Sequence, residues 1–195
     1  MQEKQIQPNE SLAIISNMIN TAKHKIADDG FLLIFWGWLV TLTAVLHYAG
    51  WQTGIERHYM VWSVLMPLGG IISLIYGFRR KKSERVTTHT DVYLGYSWGA
   101  FMIALAISLL FMKVHGWTVT YFFMMLLYGM ATFISGGLLN FRPLIIGSLF
   151  SFLIAGISVF MPAPEKLLCM AASIFCSYVV PGHLLRKEYR SQNNV

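Results

Sequence analysis

Six histidines, two cysteines and a scatter of serines are what this chain offers for catalysis or metal binding. A nucleophile needs Ser or Cys beside a base, with a third group to orient that base. Ser148, Ser151 and Ser158 have no carboxylate in their own segment, and serines in apolar helices commonly hydrogen-bond to neighbouring helices instead. Cys169 and Cys176 stand seven residues apart. On a helix that is roughly 10 Å of rise, too far for a disulfide, so both read as small packing residues. His47, His58 and His115 fall near the same side of the chain's apolar runs and suggest an open zinc or copper site. Their spacings match no ligand motif, and there is no Cys-x-x-Cys-His, no Gly-rich phosphate loop and no paired-carboxylate signature for lipid-headgroup transfer. The sequence therefore predicts no catalytic residue, no cofactor and no metal ligand, and a protein that is not an enzyme.

The elements that carry these residues explain their isolation. Of the 195 residues, 55% are hydrophobic and only 12% charged, with a mean hydropathy of +0.54. Soluble domains carry about 25% charged residues, so this chain is too poor in charge to cover a water-facing surface. Six apolar runs follow one another: Phe31–Ala49, Val61–Phe78, Val92–Met112, Val119–Leu139, Pro143–Met161 and Leu167–Leu185. Each has the length a helix needs to cross a hydrocarbon core of roughly 30 Å. Lipid offers backbone groups no hydrogen bonds, so each is expected to be helical. None holds Asp, Glu, Lys or Arg in its centre, where ion-coupled transporters keep their costly functional charges. Pro67-Leu-Gly-Gly and Val180-Pro-Gly mark kinks, or breaks able to bind a substrate through backbone.

Basic residues set the expected threading. With the N-terminus in the cytoplasm, twelve of the fifteen Lys and Arg residues face inward: Lys4, Lys23, Lys25, Arg79, Arg80, Lys81, Lys82, Arg85, Arg142, Arg186, Lys187 and Arg190. Only Arg57, Lys113 and Lys166 face outward. Retention of Lys and Arg on the cytoplasmic side favours this orientation over its reverse. The cluster from Arg79 to Arg85 and the trio Arg186, Lys187 and Arg190 are thus topology anchors, in contact with anionic lipid headgroups. The net charge of +6 needs no nucleic acid to explain it. Tyr48, Trp51, Tyr59, Trp62, Trp117 and Tyr121 gather at the outer ends of the first four helices, as interfacial aromatics do.

The N-terminal segment, residues 1–30, is too polar to span. It lacks the apolar core of a cleavable signal, so it is expected to remain attached. Within it Leu12, Ile15, Ile19, Ala22 and Ile26 form one helical stripe. Such a stripe lies along a membrane interface or packs on a protein partner. Residues 31–185 then form the transmembrane domain and 186–195 a basic cytoplasmic tail. Small residues recur at helix-packing spacing: Gly95 and Gly99, then Gly147, Ser151 and Ala155, then Cys169, Ser173 and Ser177. These let helices approach closely in lipid, within one bundle or between two copies.

The stretches ESLAIISNMINTAKHKIADDGFLLIFWGW and YVVPGHLLRKE resemble a group of small, uncharacterised six-helix bacterial membrane proteins. The resemblance implies a bacterial cell membrane and attaches no activity. The expected architecture is an all-α bundle of six transmembrane helices preceded by an amphipathic interfacial helix. The expected role is a non-enzymatic scaffold or regulatory partner; the alternative is a small uncoupled carrier for an apolar or lipid-like molecule.

Overall fold

The computed structural model describes residues 30–81 and 89–193. The amphipathic stripe before Phe31, and Lys82 and Arg85 in the basic loop, lie outside the described residues.

Every described element is helical: α1 Phe31–Gln52, α2 Met60–Lys81, α3 His89–His115, α4 Trp117–Leu138, α5 Arg142–Ser158 and α6 Glu165–Ile174. A π-helical turn, Phe175–Val179, joins α6 to α7, Val180–Asn193, so the last three run on as one long rod. Five segments are long and apolar enough to cross a membrane: α1, α2 up to Arg79, α3, α4, and the composite rod from Glu165 to Glu188. The expected run Pro143–Met161 is shorter in the structure, because helix α5 stops at Ser158 after 17 residues.

Local chemistry sets the joints. Gly116 separates α3 from α4 at φ 82°, a left-handed conformation that only glycine takes without penalty. Asn140 takes φ 50° between α4 and α5, one of the few other residues that tolerates it. That turn folds back tightly because Gly136 has no side chain. A Cβ there would sit 3.0 Å from the backbone nitrogen of Ile145. The π turn directly precedes Pro181, which has no N–H to donate and whose ring crowds the carbonyl four residues back. One wider turn relieves both problems without ending the helix.

Helices α1, α4, α5 and the α6–α7 rod make the centre, while α2 leans on α1 and α3 on α4. Burial shows the division: 56% of the apolar window is buried in α4 and in the rod, against 6% in α2 and in α3. The core joins Val40 of α1, Met125 and Tyr128 of α4, Ala155 of α5, and Leu167, Met170, Ile174 and Tyr178 of the rod. Large apolar side chains such as Leu74, Phe78, Ile103, Leu110 and Leu153 are exposed around the perimeter. Apolar cover on that scale suits a lipid surround.

One end of the bundle is fixed by Phe31 of α1 against Tyr76 of α2, with ring centroids 5.0 Å apart. Leu94, Leu139, Phe141, Leu144 and Leu185 close the same end. Arg79, Arg142, Arg186 and Lys187 are exposed there, with Arg80 and Lys81 in the last turn of α2 and Arg190 further along α7. Arg57, Lys113 and Lys166 lie toward the opposite end, where α1, α3 and α6 have their other termini.

Candidate functional site

The small-residue ridges divide. Along α5, Leu144, Gly147, Ser148, Ser151, Ala155 and Ser158 are buried as one stripe. A Cβ on Gly147 would run into the carbonyl oxygen of Cys176 in the π turn and stand 3.1 Å from the Pro181 ring. Ser151 and Ser173 share a hydrogen bond of 2.5 Å across the α5–α6 contact. The Ser151 hydroxyl also lies 3.3 Å from the Met125 carbonyl of α4. Both serines are fully buried. Ser177 turns inward too, donating to the Ser173 carbonyl of its own helix at 2.8 Å, while Cys169 and Cys176 are free thiols at half-buried positions. Gly95 and Gly99, expected from their spacing to pack helices within one bundle or between two copies, pack against no neighbouring helix of this chain. Both are exposed, and a Cβ on either meets nothing within 4 Å. The spacing is right, but that face of α3 points away from α4, the helix on which α3 leans.

A second cluster lies at the end opposite the basic residues, where α1 turns into α2. His47 sits five residues before the end of α1, about 8 Å of helix rise inside it. It is 1% exposed. Trp62, early in α2, donates its indole N–H to His47 Nδ1 at 2.8 Å, and the Tyr121 hydroxyl of α4 lies 3.5 Å from the same nitrogen. From the connection between the helices, His58 stacks on His47 with ring centroids 4.7 Å apart and planes at 28°. Gly50 makes room for it, since a Cβ at that position would come 2.8 Å from the His58 Cβ. Trp51 covers the His58 ring at 5.0 Å, and Trp117 meets His47 edge-on at 6.3 Å. Tyr59 leans on Trp117 at 6.4 Å.

This wiring fixes what His47 can do. A ring nitrogen that accepts from an indole cannot itself carry a proton, so the neutral ring holds its proton on Nε2. That Nε2 is buried without a hydrogen-bond partner, and so is Nδ1 of His58. The two unsatisfied nitrogens belong to rings stacked face to face. Among the described residues no group of three or more His, Cys, Asp or Glu side chains converges on a point. His115, the third histidine suggested by the sequence, stacks on Phe111 at 3.9 Å.

Sequence reasoning placed the aromatics of this cluster in an interfacial belt and His47 and His58 near one side. It did not bring them together. Its only local signal is the four-residue spacing of His47 with Trp51 and of Trp117 with Tyr121, which puts each pair on one helix face. The contacts to Trp62 and Tyr121 need the tertiary fold. Comparison of the chain with protein-family models, with curated proteins and with solved structures gives no match in any of the three.

Proposed function

We propose that the chain is a six-span protein of a bacterial cell membrane, with both termini and the basic end in the cytoplasm, that acts as a non-enzymatic scaffold or regulatory partner. The orientation rests on the gathering of Arg79, Arg142, Arg186 and Lys187 at one end, where they meet anionic headgroups. Helix α5 is counted as a span. Its 17 residues cover about 26 Å, and the turn that follows, Val159, Phe160 and Met161, is apolar as well.

The observation that carries the functional reading is the Ser151–Ser173 contact. Two small polar side chains from α5 and α6 meet hydrogen-bonded and fully buried, which is how close-packed helices behave. A carrier would need space near the midplane where these serines meet. The surface left for a partner, whether another protein or a second copy, is the open flank of α2 and α3, including Gly70, Gly77, Gly95 and Gly99. Purification in mild detergent is expected to return the chain in a stoichiometric complex through that flank, lost when Gly95 and Gly99 are both changed to Leu. Purified protein that by itself moves an apolar or lipid-like molecule across proteoliposomes would replace the scaffold with the carrier.

A further inference from the structure

We infer that the His47 cluster is a binding site for the carbonyl-bearing head of a flat apolar amphiphile of the quinone class. This goes beyond the scaffold reading and does not depend on it.

Three observations specify the ligand. First, His47 is 1% exposed and its Nε2 has no partner. A buried donor without an acceptor is costly, and native structures leave few such groups unexplained. Second, the Trp62 bond to Nδ1 places the proton on Nε2, so the site offers a donor. It asks for an oxygen acceptor and does not suit a metal, which needs a lone pair at that nitrogen. Third, the side chains in ring contact with His47 are Trp51, His58, Trp62, Trp117 and Tyr121. A neutral carbonyl on a flat ring meets both a donor and aromatic faces there.

The way in is through the connection between α1 and α2. His58 covers His47 from residues outside both helices, and the connection contains Gly54 at φ 71°. Lifting His58 opens one face of the His47 ring, with Nε2 at the edge of that face. His58 Nδ1, unpartnered in the covered arrangement, gains access to water as it leaves. Binding alone is inferred; no electron or proton transfer is assigned to the site.

The test uses the full chain in mild detergent with decylubiquinone as probe. Saturable quenching of tryptophan fluorescence is expected, with decylbenzene, which has the chain and ring but no carbonyl, competing poorly. Infrared difference spectra with carbonyl-labelled decylubiquinone should show a carbonyl band displaced to lower frequency by hydrogen bonding. His47→Phe keeps the ring and removes the donor, so binding should weaken about three- to tenfold, the worth of one neutral hydrogen bond. His58→Ala removes the cover and should bind at least as tightly as the unaltered chain. Non-saturable quenching, equal competition by decylbenzene, or an undisplaced carbonyl band in the unaltered protein would each overturn the assignment. The infrared measurement decides the matter even if His47→Phe does not fold.

Discussion

Replacing Ser151 by Leu puts the filled-bundle reading at risk in a single residue. Ser151 is fully buried between α4, α5 and α6, bonded to Ser173 and 3.3 Å from the Met125 carbonyl. A Cβ added at Gly129 would already stand 3.2 Å from its hydroxyl, so no slack exists on the α4 side. Forcing extra carbons into such a contact costs about 1–3 kcal/mol. The Ser173 hydroxyl, left without its cross-helix partner, adds about 1 kcal/mol, a figure held down because it can turn to a carbonyl of its own helix. The sum is about 2–4 kcal/mol. At about 2–4 °C per kcal/mol for a chain of this length, the melting temperature in detergent should fall by roughly 4–16 °C. Ser151→Ala, which deletes only the hydrogen bond, should cost about 0.5–1.5 kcal/mol. Gly156→Leu on the same helix, where a Cβ meets nothing within 4 Å, serves as the control and should move the transition little. If Ser151→Leu melts with the unaltered protein, the α5–α6 contact encloses space and the carrier becomes the better reading.

Gly147→Ala should destabilise far more than its one methyl suggests, by about 2 kcal/mol or more, because the Cys176 carbonyl it meets is backbone and cannot rotate aside. Gly156→Ala should be neutral or slightly stabilising, and thermal melts of the pair compare the two directly. Single cysteines at Thr53, Lys113 and Ala163, in a chain whose Cys169 and Cys176 are replaced by Ala, should react with an impermeant thiol reagent on intact cells. Those at Ser83 and Gln192 should react only after permeabilisation, and the opposite pattern would reverse the proposed orientation.

Where helices form was legible because hydrophobic length is a property of the sequence itself. The runs beginning at Phe31, Val61, Val92 and Val119 reappear as α1 to α4, the first three extended by a few residues and the fourth shifted by one or two. The end of α5 was less so, since Val159, Phe160 and Met161 are as apolar as the helix before them. Pro162 and Pro164, just beyond, are what stop the chain from continuing as a helix. Packing faces were legible only as spacing. Gly95 with Gly99 and Gly147 with Ser151 look alike in sequence, yet one pair faces open space and the other lies in the core. Helical period says which residues share a face and is silent about where the neighbouring helix stands. The His47 site was hidden for the same reason: its hydrogen bonds span 15 and 74 residues of chain, beyond any local pattern.

The first helix rests on the last. Gly37 of α1 lies against Tyr178 and Val179 of the π turn, and Gly182 of α7 against Ile34 of α1. A ribosome releases α1 long before the segment that receives it, so α1 and α2 must wait in the bilayer while α3, α4 and α5 are made. During that interval the face of α1 carrying Gly37, Val40 and Thr41, later buried, has only lipid or an insertion factor to lie against. Synthesis halted before Glu165 would leave that face permanently open. Quality-control proteases that survey the membrane would then meet an unfinished chain at its N-terminal helix, although the missing residues are at the other terminus.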